Sequence, residues 1–343
     1  MKILHVVFAL RYGGLETMLV DLTRHQVESD EVSVLIINDE IDKGLLDTFD
    51  PRVRIMRMGR KPGGNPLSLL WHVNRQIRRL HPDIIHCHNA KAPGIIRGLD
   101  KRMVFTIHAE NVPHRWLRAG IRYIAISDTV SADMLNRQPA FSITTIPNGI
   151  ETSSITRRDA RKPGSPVRLV NLGRLVSSVK GQDILLKAIT LLPESYIADF
   201  IGTGADEEAL RRMAHSLGLE NRVRFLGMRS REWIYSHLAD YDIMVHPSRL
   251  EGFGLAVAEG MAAGLPVAVS NRGGLPEIVR HGQLGKIFEP DPQECAATIR
   301  SITEDYPAAQ IVATIAYDTV CRKYSMERMA AEYRKVYSSM LNL

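Results

Sequence analysis

The chain has 343 residues, 45% of them hydrophobic and 24% charged, which is enough for two domains that each bury a core. Its formal charge of +6 suits an anionic substrate or surface, but no nucleic-acid-binding module is recognisable. Three cysteines without paired spacing favour a reducing, cytoplasmic compartment. Because no apolar run reaches membrane-spanning length and the apolar start lacks a cleavage site, we expect a soluble or peripheral protein.

The first half alternates strands and helices. An apolar strand predicted over residues 3–10 leads into Gly13-Gly14 and a helix over residues 15–25. The fingerprint Gly-x-Gly-x-x-Gly is absent, which disfavours a dehydrogenase. Further strands are predicted over residues 32–37, 84–88, 103–108 and 124–126, and a helix over residues 67–80.

Histidines stand at the carboxyl ends of two of these strands. His86 and His88 lie two apart, so they point to the same side and invite a metal interpretation. We disfavour it because no third ligand stands at metal-like spacing. Polar residues at the carboxyl ends of parallel strands line ligand crevices, so these histidines and His108, at the end of the next strand, are expected to face one.

Basic residues are concentrated in the first half. Between Val112 and Tyr123, arginines alternate with Trp116 and other apolar residues. Such a segment can rest on an anionic membrane surface, and an ordinary solvated helix face is the alternative.

A segment over residues 151–166, rich in Ser, Arg, Pro and Gly, is predicted to link two domains, 1–150 and 167–324. The second domain opens with a strand over residues 167–172 and a loop that carries Arg174 and Lys180. These cations beside Gly173 and Gly181 suit a diphosphate. The Walker spacing is absent, which excludes a P-loop ATPase.

Two more strand-to-loop transitions follow. One strand, over residues 195–201, ends at Gly202-Thr203-Gly204, and the next, over residues 223–226, ends at Leu226-Gly227-Met228. Both are expected to lie at the same edge of the sheet as the cationic loop.

The most informative stretch follows a strand predicted over residues 241–245. It places Glu251 in a loop, continues through Gly252-Phe253-Gly254-Leu255, and reaches Glu259 one turn into a helix that ends at Gly264. Glycines before a helix let its free backbone N–H groups approach an anion, and the two carboxylates can hold hydroxyls of one ligand. Taken singly, Glu259 is also favourable near a helix N-terminus, and Glu251 could be a solvated loop charge.

The tail, residues 325–343, predicts an amphipathic helix. Its apolar side consists of Met329, Tyr333, Val336, Tyr337 and Met340.

Together these residues resemble family 4 of the nucleotide-sugar-dependent, retaining glycosyltransferases, over nearly the whole chain. Glu251-Gly252-Phe253-Gly254 with Glu259 is similar to the family's Glu-x7-Glu element. The resemblance implies that Glu251 and the loop amides hold the donor sugar and that Glu259 holds the ribose. It also implies the GT-B fold, an α/β fold of two Rossmann-like parallel-sheet domains facing a cleft, with the terminal helix crossing back to the first domain.

Other roles also come from the resemblance. Arg174 and Lys180 are similar to the family's diphosphate clamp, and His108 to the histidine that faces the donor sugar. Donor-binding positions are similarly implied in both halves at Gly13, Gly14, Gly202, Gly204, Leu226, Gly227, Met228, Gly252, Phe253, Gly254 and Leu255.

The implied reaction transfers a hexosyl or N-acetylhexosaminyl group from a nucleoside-diphosphate sugar to a hydroxyl of a cell-surface glycan or glycolipid, without a metal or other cofactor. Family analogy through Gly273-Gly274 and Pro276-Glu277 favours a uridine donor. The expected partners are the donor, a lipid-linked or polysaccharide acceptor and an anionic membrane, but no nucleic acid. The alternatives are a non-catalytic sugar-nucleotide or glycan-binding subunit and a nucleotide-sugar epimerase of the same fold.

Overall fold

The structure is a computed structural model that describes residues 1–61, 66–113, 115, 117–159 and 163–342. The chain forms two compact units, Met1–Gly149 with Met326–Leu343, and Ile150–Ser325. Among the described residues, no helix is long and apolar enough to span a membrane.

The first unit contains a seven-stranded parallel sheet in the order β3-β2-β1-β4-β5-β6-β7. Its strands are β1 (Lys2–Val7), β2 (Glu31–Asn38), β3 (Arg54–Arg60), β4 (Ile84–Cys87), β5 (Met103–Ile107), β6 (Arg122–Ala125) and β7 (Ile143–Thr145). The strand order reverses between β1 and β4, the position at which parallel α/β sheets bind ligands.

Helices accompany this sheet in alternation with its strands. They are α1 (Gly14–Gln26), α2 (Lys43–Leu46), α3 (Pro66–Leu80), α4 (Ala92–Ile95) and α5 (Asp128–Arg137). Ser127 caps α5 by accepting a hydrogen bond at 3.2 Å from the backbone N–H of Val130.

The C-terminal helix α14 (Met326–Leu341) belongs to the first unit. Its side chains Met326, Met329, Tyr333 and Tyr337 are buried against the central strands, in a cluster that includes Ile3 of β1. The predicted crossing of this helix back to the first domain is confirmed.

The second unit contains a six-stranded parallel sheet in the order β10-β9-β8-β11-β12-β13. The strands are β8 (Val167–Leu172), β9 (Tyr196–Ile201), β10 (Val223–Gly227), β11 (Ile243–His246), β12 (Val267–Ser270) and β13 (Lys286–Phe288). The order reverses between β8 and β11, which places a second candidate ligand crevice there.

The helices of this unit cover its sheet. They are α6 (Ser177–Lys180), α7 (Gln182–Thr190), α8 (Glu207–Ser216), α9 (Arg231–His237), α10 (Leu255–Ala262), α11 (Leu275–Ile278), α12 (Pro292–Glu304) and α13 (Tyr306–Lys323). Buried side chains of α7, α8 and α12, with Tyr306 of α13, form one core with β8, β9 and β11.

Described residues of the segment expected to link the domains lie within the second unit. Arg158 is 8% exposed and donates to the carboxylate of Asp242 at 2.7 Å. Its backbone N–H bonds to the carbonyl of Ala263 at 2.9 Å. These contacts fasten the segment to the core that follows it in sequence.

Candidate functional site

The crevice of the second unit brings together two charges that the sequence places 71 residues apart. Lys180, at the end of α6, donates to Glu251 Oε2 with Nζ 2.6 Å away. His246 Nε2 donates to the same oxygen at 2.8 Å, and Ser248 Oγ lies 3.5 Å from it. Lys180 follows β8, whereas His246 ends β11 and Glu251 follows it; these two strands flank the reversal of strand order.

The carboxylate of Glu251 is stabilised in its charged form. Burial by itself raises the pKa of Glu251, but the Lys180 ammonium and the hydrogen bond from His246 outweigh burial and hold the pKa at about 2. His246, which the sequence analysis did not select, is 2% exposed, and its Nδ1 has no partner among the described residues. Its position at the end of β11, before Pro247-Ser248, is the sequence signal that could have identified it.

At two glycines of this crevice, the backbone lies so close to the backbone of another loop that no side chain would fit between them. Gly181 has φ +65°, and a Cβ added there would lie 2.0 Å from the carbonyl oxygen of Pro247. Gly202 has φ +131°, and its Cβ would lie 2.2 Å from the carbonyl oxygen of Gly173. Glycine is therefore required at both positions, by backbone conformation and by lack of space.

The helix α10 begins as the sequence predicts. Gly254 precedes it with φ +101°, and Glu259 lies in its second turn. Tyr235 donates its hydroxyl to Glu259 at 3.4 Å, and Arg231 Nε donates to the Tyr235 hydroxyl at 2.7 Å. The second carboxylate of the motif is thus held by α9, an element that the sequence analysis did not identify.

The remaining predicted residues of this unit differ in their surroundings. The side chain of Arg174 is exposed, and among the described residues it has no carboxylate partner. Phe253 is 4% exposed and packs edge-on against Tyr324, so its side chain belongs to the core. Gly204, Leu226, Gly227 and Gly252 lie in the loops or strand ends of the same sheet edge, Leu255 begins α10, and Met228 is 49% exposed.

In the first unit, the structure places His88 and His108 directly after the neighbouring strands β4 and β5. Their ring centroids lie 5.7 Å apart. Burial lowers the pKa of His108 to about 4, so this side chain is neutral at pH 7. Gly13 and Gly14 lie where β1 leads into α1, and the Gly13 carbonyl accepts a hydrogen bond from Thr17 Oγ1 at 3.0 Å.

One expectation about the histidines at the carboxyl end of β4 is wrong. His86 does not line a crevice: it is 0% exposed, and its nitrogens bond to the Tyr337 hydroxyl and to Thr106 Oγ1, each at 2.7 Å. The structure also brings a third imidazole to this place, which the sequence spacing did not reveal. His5 of β1 packs against both His86 and His88, and one ring nitrogen of each histidine lies within 4.8 Å of the other two. Both nitrogens of His5 and both nitrogens of His86 are hydrogen-bonded, so the cluster forms a hydrogen-bond network.

The basic segment around residue 116 is only partly described. Trp116, the aromatic residue on which the membrane interpretation rested, lies outside the described residues. Arg118 of the same segment forms an ion pair with Asp100 at 2.5 Å.

Two family models match the chain in succession. The model "Glycosyltransferase Family 4" matches residues 12–154, and "Glycosyl transferases group 1" matches residues 153–319. The fold, the two crevices and these matches define the class: the chain belongs to the family 4 glycosyltransferases of GT-B fold. The resemblance inferred from the sequence is confirmed.

Particular relatives are distant. The chain is 24% identical over 306 residues to the N-acetyl-alpha-D-glucosaminyl L-malate synthase of Bacillus anthracis, covering 80% of this chain and 79% of that enzyme. It is 30% identical over 175 residues to an uncharacterized glycosyltransferase of Methanocaldococcus jannaschii, a match that spans 50% of this chain and only 45% of that relative. Among solved structures, Anabaena HepE in complex with UDP and glucose superposes with a TM-score of 0.82 at 24% identity, covering 99% of this chain and 100% of that one.

Proposed function

We propose that this glycosyltransferase moves a hexosyl or N-acetylhexosaminyl group from a nucleoside-diphosphate sugar, with UDP-sugars favoured, to a hydroxyl of a cell-surface glycan or glycolipid, with retention of the anomeric configuration. The observation that carries the proposal is the Lys180–Glu251 pair at the strand-order reversal of the second unit, beside the N-terminus of α10. The binding of UDP and glucose by HepE and the sugar named for the Bacillus relative support the choice of donor.

The chemistry requires a site that accommodates the negative charge of the departing diphosphate. Lys180 and the exposed Arg174 supply cationic donors, and the free N–H groups at the start of α10 supply partial positive charge. One such preorganised donor contributes about 10²–10³ in rate, so these groups can act without a metal ion. Lys180 would exchange part of its contact with Glu251 for the diphosphate, which frees the carboxylate to accept a hydrogen bond from a sugar hydroxyl.

Other site residues have binding roles in the proposal. Glu259, held by Tyr235, binds the ribose hydroxyls, and the strand end at Leu226-Gly227-Met228 meets the base. His108 binds a hydroxyl of the transferred sugar as a neutral imidazole.

Two measurements test the proposal. The first is binding calorimetry with a panel of uridine, guanosine and adenosine sugar diphosphates, and the second is an assay for released nucleoside diphosphate. We expect one uridine compound to bind and to be consumed when an acceptor is present. Binding without release in any acceptor mixture would instead indicate a binding subunit. Conversion of the donor to a different sugar nucleotide without acceptor would indicate an epimerase.

Lys180→Ala tests the diphosphate clamp. Because Lys180 would act on charge that develops during the reaction, kcat and kcat/KM should fall together, by about 10²-fold or more. The exposed Lys286→Ala in β13 removes the same charge outside the crevice and serves as the control. A normal kcat in Lys180→Ala would contradict the clamp.

We also propose that the protein contacts the cytoplasmic side of an anionic membrane and that the helix α3 forms the contact surface. Residues 51–82 contain eight Lys or Arg and no Asp or Glu. Trp71 is 57% exposed, and the guanidinium of Arg75 lies 4.9 Å from its ring centroid. With Arg78 and Arg79 they line a depression of about 450 Å³. An exposed indole among exposed arginines suits the interface of an anionic bilayer.

Cosedimentation with phosphatidylglycerol vesicles and with neutral phosphatidylcholine vesicles tests this contact. Each arginine near such a surface contributes about 1 kcal/mol, so changing Arg75, Arg78 and Arg79 to Gln should weaken binding about a hundredfold. The matched control removes three exposed charges elsewhere: Arg212, Lys286 and Lys335. Equal loss in both variants would reject α3 as the contact surface.

A further inference from the structure

Two neighbouring imidazoles, His88 and His108, lie at the carboxyl edge of the first unit's sheet. Among the described residues, His88 Nδ1 and His108 Nε2 are buried without a hydrogen-bond partner. Both residues directly follow strands, and β4, the strand before His88, flanks the reversal of strand order. A buried polar atom without a partner destabilises a protein, so two of them side by side at a ligand-binding edge point to a ligand.

The hydrogen bonds behind His88 decide which of its nitrogens carries the proton. Gln26 Nε2 donates to the Tyr337 hydroxyl at 3.4 Å, so Gln26 Oε1 is the amide atom that faces His5 Nε2, at 2.7 Å. An oxygen can only accept here, and therefore His5 carries its proton on Nε2 and a lone pair on Nδ1. That lone pair accepts from His88 Nε2 at 2.9 Å. His88 is consequently protonated on Nε2, and its Nδ1 presents a lone pair.

The same series of hydrogen bonds continues to two tyrosines of α14 and fixes the orientation of the His5, His86 and His88 rings. The Tyr337 hydroxyl meets His86 Nδ1 at 2.7 Å, His86 Nε2 meets Thr106 at 2.7 Å, and Thr106 meets the Tyr333 hydroxyl at 3.0 Å. Burial lowers the pKa of His88 well below its ordinary value. At neutral pH, His88 Nδ1 is therefore a hydrogen-bond acceptor held in a fixed position.

We propose that His88 is a substrate-binding residue whose Nδ1 accepts a hydrogen bond from a hydroxyl of the sugar acceptor, beside His108. A bare lone pair in a buried, uncharged environment attracts an O–H donor and repels a phosphate or carboxylate oxygen. The chemistry therefore selects a neutral hydroxyl-bearing ligand. This inference rests on the proposed glycosyl transfer, and it names one residue that would bind the acceptor in that reaction.

Two substitutions at His88 separate binding from structure. In His88→Gln, the side-chain amide reaches the position of Nε2 and can still donate to His5, but nothing replaces Nδ1. In His88→Asn, the shorter amide occupies the Nδ1 position and can accept, but the bond to His5 is lost. A binding role and a purely structural role therefore predict opposite outcomes for the pair.

The assay uses UDP-glucose as donor and a panel of methyl hexosides as acceptor probes. In His88→Gln, we expect unchanged thermal stability, unchanged UDP affinity and a KM for the methyl hexoside raised about tenfold, as for one lost hydrogen bond. His88→Asn should keep this KM within about threefold of the wild type and lose stability. A normal acceptor KM in His88→Gln together with impaired His88→Asn would overturn the proposal.

Nuclear magnetic resonance of ¹⁵N-histidine-labelled protein tests the site independently of turnover. Long-range ¹H–¹⁵N correlations should show His88 protonated on Nε2, and methyl hexosides should shift its Nδ1 resonance. A proton on Nδ1, or an Nδ1 signal unchanged at saturating sugar because an internal water satisfies it, would refute the inference. If the wild type transfers no sugar but the Nδ1 signal still responds, the proposed reaction fails while the sugar site stands.

Discussion

The ion pair between Lys180 and Glu251 makes a quantitative prediction. Replacing Lys180 by Met removes the charge but keeps most of the apolar stem, so Glu251 remains buried with His246 and the more distant Ser248 hydroxyl as donors to its carboxylate. The side chains of Lys180 and Glu251 are 18% and 13% exposed, so water screens the pair only weakly. Lys180→Met should therefore be strongly destabilising, unlike the loss of a surface ion pair.

The size of the effect follows from the pKa of Glu251. Its fall from 4.5 to about 2 corresponds to about 3 kcal/mol, at about 1.4 kcal/mol for each pH unit. His246 shares this stabilisation, so we expect a coupling energy between Lys180 and Glu251 of about 2 kcal/mol. Because the folded pKa is depressed, the contribution is fully present above pH 4.5 and is lost as the pH falls through about 2.

A double-mutant cycle of Lys180→Met, Glu251→Gln and the double variant measures this coupling energy. Trp233 is the only tryptophan of the second unit. If all variants also carry Trp71→Phe and Trp116→Phe, the tryptophan fluorescence reports the urea unfolding of the second unit alone. Lys180→Met should lower the free energy of unfolding by about 3 kcal/mol. The double variant should recover much of this stability but not the activity. A coupling energy below about 0.5 kcal/mol, typical of an exposed pair, would refute the reasoning.

Three further outcomes are expected. Glu259→Gln should raise the donor KM several-fold with kcat nearly unchanged, and an unchanged KM in steady-state kinetics would remove its ribose role. Burial lowers the pKa of His5 from 6.5 to about 4. The contribution of His5 to stability is therefore complete above pH 6.5 and falls by about 3 kcal/mol towards pH 4. In urea titrations, the free energy of unfolding of His5→Gln should depend less on pH than that of the wild type. Gly181→Ala should lower the melting temperature far more than Gly218→Ala, because both glycines have positive φ but only the first faces the Pro247 carbonyl; equal shifts would contradict the clash.

Local sequence patterns determined most of the central secondary structure. Apolar runs of four to eight residues located β1, β2, β8 and β9, because strands buried on both faces leave a continuous hydrophobic signal. The edge strand β3 was not predicted, since its arginines interrupt that signal and only one neighbouring strand supports it. The strand β13, at the edge of the other sheet, is only three residues long and was missed too.

The sequence by itself also determined the residue types and spacing of the Glu251–Glu259 motif, because both carboxylates lie on one loop-to-helix segment. Only the tertiary structure brought Lys180 to Glu251 and His5 to His88, since contacts between residues 71 and 83 positions apart depend on the order in which parallel strands assemble. It also decided the protonation of His88, which is set by a chain of hydrogen-bond donors and acceptors reaching Tyr337 on the last helix. Spacing along a chain carries no information about such directions, which exist only once the side chains are packed together.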